Sequence, residues 1–304
     1  MEQLSKVGFV GLGNMGRPMA ARLQEAGFTL TVFDSNPQAQ QTFLDHHGGN
    51  GATSLAQLAS NSDVVITMLP DGHVVRRVTL GEGQDRQDCL LGSMQNGSIL
   101  IDMSSSSPTG SQELGRILSQ HGVRMLDAPV SGGMPKAVDG TLAIIVGGDA
   151  AVVEHCRPLF EAMGTQIFEA GALGSGHALK ALNNLVSAAG LIAAAEALLI
   201  GQRFGLDPTV MIDVLNASTG RNNSTENKFK RFILSRRFDS GFSLDLMVKD
   251  LTTAVKLARE TGAPAVFSGV CRELWAAAQA VLEAESDHTD VVRWFEKMAN
   301  TELR

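Results

Sequence analysis

Lys6-Val7-Gly8-Phe9-Val10-Gly11-Leu12-Gly13-Asn14-Met15-Gly16 is the stretch that decides the fold. Its first half is a short apolar strand, and its second half fits the pattern G-x-G-x-x-G. The residues that follow, Arg17 to Ala26, read as a helix, with Pro18 tolerated in the first turn. Glycine spacing alone is weak evidence. A strand ending at Gly11 and a helix opening just after Gly16 strengthen it. In that context the first glycine permits a tight turn, the second lets backbone approach a diphosphate, and the third allows helix and strand to pack closely. The free N–H groups at the helix start are then donors for an anion. Gly11, Leu12, Gly13, Asn14 and Met15 are the candidate contacts.

Working outward, strand and helix signals alternate. Strands are expected at Thr29–Asp34, Asp63–Leu69, Ser98–Ser104, from Arg124 to Asp127 and at Leu142–Val146. Helices are expected at Pro37–Asp45, Leu55–Ser60, Pro108–His121 and Ala150–Ala162. Such alternation implies a doubly wound, mainly parallel sheet of the Rossmann type, covered on both faces. After Gly171 strand signals stop. Helical periodicity then runs through Ala178–Phe204, Pro208–Ala217, Phe242–Thr261, Ala265–Glu285 and Asp290–Ala299. The fold class is therefore α/β, with an N-terminal dinucleotide domain at 1–170 and an all-α domain at 171–304 joined through a long helix.

Composition narrows the function. The 304 residues are 44% hydrophobic with a formal net charge of −7, which argues against nucleic-acid and membrane-surface partners. Tyrosine is absent, so no tyrosine serves as a general acid. Cys89, Cys156 and Cys271 are too far apart to suggest a disulfide framework or a metal site, and a reducing cytoplasm is the natural compartment. Residues 1–6 show no secretory-leader pattern. The apolar run after Asn184 is interrupted by Glu196, against a transmembrane reading.

Candidate site residues cluster at strand ends, where this architecture places its ligand crevice. Asp34 ends the second strand. It either accepts hydrogen bonds from a ribose diol, favouring NAD over NADP, or caps the helix after Pro37. Met68, Leu69 and Pro70 end the third strand. Ser104, Ser105 and Ser106 follow the fourth, and at least one of them is explained as a helix cap; Ser105 is the candidate for nicotinamide or substrate contact. Ser131-Gly132-Gly133 is either a small anion nest suited to a carboxylate or an ordinary turn. Lys180 and Asn184, four residues apart, share one face of the long helix. A cation at the head of a buried helix implies either acid/base chemistry or an ion pair, for which Glu196 is one partner.

The loop at Gly8–Gly16, the segment Asp127-Ala128-Pro129-Val130-Ser131-Gly132-Gly133, the run Gly174–Asn184 and the pair Lys249-Asp250 occur in one order. Together they resemble the β-hydroxyacid dehydrogenase family, over residues 6 to about 290. The family embraces 3-hydroxyisobutyrate dehydrogenases, tartronate semialdehyde reductases and threonate dehydrogenases. The resemblance implies an NAD-dependent oxidoreductase acting on the CH–OH group of a small β-hydroxy acid. In it Lys180 is the acid/base, Ser131, Gly132 and Gly133 bind the substrate carboxylate, and Asn184 orients the substrate. Ser105 lies near the nicotinamide and Lys249 closes over the cofactor. Without the resemblance, a Lys-Asp step is usually a solvated helix face. No metal is required, and a homodimer or homotetramer is implied. An imine reductase-like enzyme and a non-catalytic dinucleotide sensor are the alternatives, and the intact lysine–asparagine pair counts against both. Residues 220–228, unusually polar, are expected either to line the substrate site or to form a surface loop. Arg221 and Lys228 are the candidates to reach a second anionic group, and the sequence places neither.

Overall fold

The computed structural model describes residues 6–81 and 88–304. Residues 1–5, on which the reading of the N-terminus largely rests, lie outside the described residues. By its internal contacts the chain divides into two compact units, Met1–Lys180 and Ala181–Arg304.

The first unit is built on β1 (Lys6–Val10), β2 (Thr29–Phe33), β3 (Asn50–Gly51), β4 (Val64–Thr67), β5 (Ile99–Asp102) and β6 (Arg124–Asp127). The sheet continues with β7 (Val130–Ser131), β8 (Leu142–Gly147) and β9 (Gly164–Gly171). The strand order is β3-β2-β1-β4-β5-β6-β8-β7, with β9 also paired to β8. From β3 to β6 all pairings are parallel, and β8 runs antiparallel to β6 and β7. The chain leaves β1 to one side for β2 and to the other for β4, so the topological switch point lies between β1 and β4.

The helices are α1 (Gly16–Glu25), α2 (Pro37–His47), α3 (Leu55–Ser60), α4 (Gly72–Leu80), α5 (Pro108–Gln120), α6 (Gly133–Asp139) and α7 (Ala150–Met163). Alternation along the strands sends side chains to opposite faces. Val7 and Phe9 join one core with Met19, Leu23 and Phe160, while Val10 joins the other with Leu58, Val65 and Leu114. Gly8 lets α3 approach that second face: a Cβ there would stand 2.5 Å from Leu58 Cδ2.

The sequence pattern did not reveal α4, α6 or β9. In α4 the run is rich in β-branched residues, which lowers helix propensity. Its N-terminus is nevertheless capped by Asp71, whose carboxylate accepts from His73 N and Val74 N at 2.8 and 2.9 Å. Strand β9 is mostly exposed, so burial leaves no apolar alternation to read.

Helix α8 (Ser175–Phe204) runs out of the first unit into the second. Strand signals end at Gly171, while the first compact unit ends at Lys180, because the first turns of α8 are hydrogen-bonded to β6. The second unit adds α9 (Pro208–Asn216), α10 (Asn223–Asn227), α11 (Leu244–Thr261), α12 (Val266–Gln279) and α13 (Val291–Ala299). A wider, π-type turn at Phe229–Ile233 follows α10. The core of this unit gathers Leu191, Leu198, Phe229, Leu251, Trp275 and Phe295. Among the described residues α8 is the one helix long and apolar enough to cross a membrane, but half of that window is buried within the protein.

Candidate active site

The glycine loop has the geometry its spacing demands. Gly11 adopts φ +100°, and a Cβ on it would stand 2.3 Å from the carbonyl oxygen of Met68. A Cβ on Gly16 would stand 1.9 Å from the Gly11 carbonyl oxygen. Gly13 differs, since a Cβ there would meet nothing within 4 Å. Packing therefore does not require a glycine at 13; the space beside it accommodates an approaching diphosphate. The start of α1 supplies the matching donors. Helices α2, α3, α4, α5 and α7 each have a side-chain cap, whereas α1 and α6 have none. The first-turn N–H groups of α1 thus fit an anionic ligand.

Asp34 has a structural task in the glycine loop. Its Oδ2 accepts from Leu12 N at 2.7 Å and its Oδ1 from Asn36 N at 2.7 Å. It ties the glycine loop to the end of β2 and keeps lone pairs for further donors. The cap of α2 is Asn36, whose side chain accepts from Gln38 N.

The three serines after β5 have separate fates. Ser104 Oγ accepts from Leu69 N at 2.9 Å, which fixes the Met68-Leu69-Pro70 backbone. Ser106 Oγ donates to Asp102 Oδ2 at 2.6 Å. Asp102 is fully buried and also accepts from Thr67 Oγ1 and Ser104 N at 3.0 Å each. The helix cap comes from none of the three: Ser107 caps α5. Ser105 remains as the partly exposed member of the loop.

Asp127 is a residue whose role the sequence did not disclose. Its carboxylate leaves β6 and accepts from Gly174 N and His177 N, each at 2.7 Å, so it caps the N-terminus of α8. His177 Nε2 lies 3.1 Å from the Ser104 carbonyl oxygen, which makes Nε2 the donor nitrogen, and its Nδ1 lies 2.9 Å from Ser111 Oγ. The helix that carries Lys180 is therefore tied to the ends of both β5 and β6. Ser131 belongs to β7, and its hydroxyl has no hydrogen-bond partner among the described residues. Gly132 and Gly133, at φ +133° and +68°, turn the chain into the uncapped start of α6.

Lys180 is partly buried on α8. Glu196 lies sixteen residues further along the helix, about 24 Å away at 1.5 Å per residue, and is exposed. An ion pair between them is ruled out. Asn184 is buried while Asn183 is exposed. Asn184 Nδ2 donates to Asp250 Oδ2 at 2.6 Å, and Asn183 Nδ2 donates to Asn184 Oδ1 at 3.3 Å. Asp250 itself is buried on α11 and sets which end of the Asn184 amide points where. Of the Lys249-Asp250 pair, the aspartate thus has a defined structural task. Lys249 is the residue before it and is partly buried. Among the described residues there is no cluster of three or more His, Cys, Asp or Glu that could hold a metal ion.

A switch-point glycine loop, an acidic residue at the end of β2 and an uncapped first helix define a dinucleotide-binding protein. Comparison with known proteins agrees. Residues 6–171 match the NAD binding domain of 6-phosphogluconate dehydrogenase, and residues 174–295 match the domain described as NAD-binding of NADP-dependent 3-hydroxyisobutyrate dehydrogenase. The chain is 33% identical to 2-(hydroxymethyl)glutarate dehydrogenase of Eubacterium barkeri, over 100% of this chain and 99% of that one. It is 37% identical to 3-hydroxyisobutyrate dehydrogenase of Pseudomonas aeruginosa, over 93% and 95%. A solved structure of Mycobacterium tuberculosis 3-hydroxyisobutyrate dehydrogenase with L-serine superposes with a TM-score of 0.87 at 34% identity, covering 97% of this chain and 99% of that one. This protein belongs to the β-hydroxyacid dehydrogenase family of NAD(P)-dependent oxidoreductases. An imine reductase from Myxococcus stipitatus, 19% identical with a TM-score of 0.65, shares the fold alone.

Proposed function

We propose that the protein interconverts a small β-hydroxy acid and the corresponding semialdehyde or keto acid, with NAD as the preferred cofactor and Lys180 as the general acid/base. The observation that carries this reading is the fixed placement of α8. Asp127 and His177 hold its first turn, and Asp250 holds Asn184 one turn beyond Lys180. A proton-transfer group on a clamped helix, with an oriented amide on the same face, suits a hydroxyl held at one position.

The bound nicotinamide supplies or accepts the hydride. Gly11 to Met15 hold the diphosphate, Asp34 the ribose, and Met68, Leu69, Pro70 and Ser105 flank the cofactor, with Lys249 contributing from α11. Ser131, Gly132 and Gly133 bind the substrate carboxylate through a hydroxyl and backbone N–H groups. Lys180 removes the proton from the hydroxyl oxygen in oxidation and returns it to the developing alkoxide in reduction. Asn184 orients that oxygen.

The preference for NAD rests on Asp34, whose carboxylate repels a 2′-phosphate, and on the absence of Arg or Lys between Asp34 and His47. A homodimer or homotetramer is supported by apolar side chains left exposed along α8 and α9, among them Val186, Ile200, Phe204, Val210 and Val214. The mass of the protein in solution tests that state; a monomer at micromolar concentration contradicts it.

The functional test is a screen of C3 to C6 hydroxy acids with NAD and with NADP, read as NAD(P)H absorbance. Turnover of β-hydroxy acids, with kcat/KM higher for NAD, is expected. Turnover confined to α-hydroxy acids or amines overturns the reaction, and a preference for NADP overturns the role of Asp34.

A further inference from the structure

The polar stretch 220–228 holds two cations, Arg221 and Lys228, with Lys230 just beyond it, and their surroundings differ. Arg221 pairs with Glu226 at 2.7 Å, and Lys230, two residues beyond the stretch, pairs with Asp213 at 2.5 Å; both lie at the exposed surface. Lys228 is turned inward instead. It follows α10 and precedes the π-type turn, and its Nζ donates to Ser187 Oγ of α8 at 3.2 Å. Among the described residues no other acceptor and no carboxylate within 4 Å meets that ammonium. Asp287, whose field reaches Lys228, has its oxygens occupied by Ser240 Oγ, Gly241 N, Phe242 N, Thr289 N and Thr289 Oγ1. Burial pulls the lysine down from its ordinary value to about 8. A desolvated cation with two unused N–H donors is costly to keep unless something completes its shell.

The segment is built to hold Lys228 there. Asn222 caps α10 through Ser224 N and Thr225 N, and its Nδ2 reaches the Gly190 carbonyl of α8 at 3.5 Å. A side chain at 190 would press on Asn222, with a Cβ at 3.2 Å from its Cγ. Ser187, which receives Lys228, makes no other hydrogen bond among the described residues, so its own hydroxyl proton is available. Ammonium and hydroxyl together present a pair of donors without an acceptor, the complement of a carboxylate. Ser187 lies seven residues beyond Lys180, two turns along the face that also carries Asn184, and about 10 Å away.

Resting on the function proposed above, we infer that Lys228 and Ser187 form a second carboxylate-binding position, so that the substrate is a β-hydroxy acid with a further carboxylate on its side chain. The separation along α8 runs from the lysine proposed to meet the reacting hydroxyl to the second carboxylate position, and it suits a short side chain with a hydrogen bond at each end. Lys228 is a specificity residue: it takes no part in proton transfer at the reacting hydroxyl.

Two probes share the core HOCH2–CH–COO⁻ and differ only beyond it. In 3-hydroxyisobutyrate the side chain is a methyl group; in 2-(hydroxymethyl)glutarate it is a propionate. With NAD and the full chain, the wild type is expected to favour the diacid in kcat/KM. Lys228→Met should lower kcat/KM for the diacid by about 30-fold or more, as expected when one partner of a buried charge pair is removed. It should leave the monoacid within about threefold, and Lys228→Arg should keep most of the preference. Glutarate, which cannot be oxidised at this centre, should inhibit the wild type competitively and Lys228→Met far more weakly. Ser187→Ala reads the same preference should Lys228→Met fail to fold. Equal losses for both probes, or a wild type with no preference for the diacid, overturn the inference while leaving the proposed function intact. A wild type that binds NADH yet oxidises neither probe overturns both.

Discussion

The buried carboxylates of the first unit and Lys228 of the second have unlike surroundings. In the first, Asp102 and Asp127 are fully buried, and each has neutral donors around it: hydroxyls and a backbone N–H for Asp102, two backbone N–H groups for Asp127. In the helical unit, Lys228 has one serine hydroxyl. A charge with a complete shell fixes the scaffold, whereas a charge with an incomplete one favours a ligand that completes it. Under the proposals above, the contrast separates residues that hold α8 in place from a residue that selects what is bound.

The largest structural effect is expected on the complete shells. Asp127→Ala leaves two helix N–H groups without their acceptor and should cost about 3 kcal/mol of stability, measured by denaturant unfolding. A loss below about 0.5 kcal/mol would mean that the α8 start is held by something else.

Asp250→Ala tests the positioning of the Asn184 amide. It releases the Asn184 amide and should lower kcat/KM by roughly 10- to 100-fold, since small misplacements at a reacting centre are costly. NADH affinity should hold. Unchanged kcat/KM would remove Asn184 from the substrate-orienting role.

The incomplete shell should behave in the reverse sense. Lys228→Met removes a partly buried cation whose one hydrogen-bond partner among the described residues is a neutral hydroxyl, so the variant is expected to match or exceed the wild type in stability by about 1–2 kcal/mol. The pH dependence has a definite sign. The folded-state value of Lys228, about 8, lies below its ordinary 10.5. Between those values the unfolded chain binds more protons, and stability rises with pH. Three groups face this lysine: Ser187 is neutral, Asp287 stays ionised across the window, and His288 is held neutral by burial. The rise should therefore vanish in Lys228→Met. Its persistence there would assign it to another group.

How much of this was legible in the sequence follows from the range of each interaction. The glycine loop, the alternation of strands and helices and the Lys180–Asn184 spacing are local, and local periodicity reports them. Asp127 meets the start of α8 across about fifty residues, and Lys228 meets Ser187 across 41. Neither contact leaves a periodic trace. The serines after β5 illustrate the same limit, because three identical side chains in a row take different partners only once Asp102 and Leu69 are brought beside them. The stretch 220–228 looked equally suited to a surface loop or a substrate wall. Ser224 and Thr225 are buried, and Asn222 docks on α8, so the stretch is packed.

The central claim is that Lys180 moves the proton. In Lys180→Ala, with NADH binding followed by fluorescence titration and turnover by absorbance, kcat is expected to fall by about a thousandfold or more while NADH affinity stays within about threefold. Turnover within tenfold of the wild type, with the cofactor still bound, would contradict it.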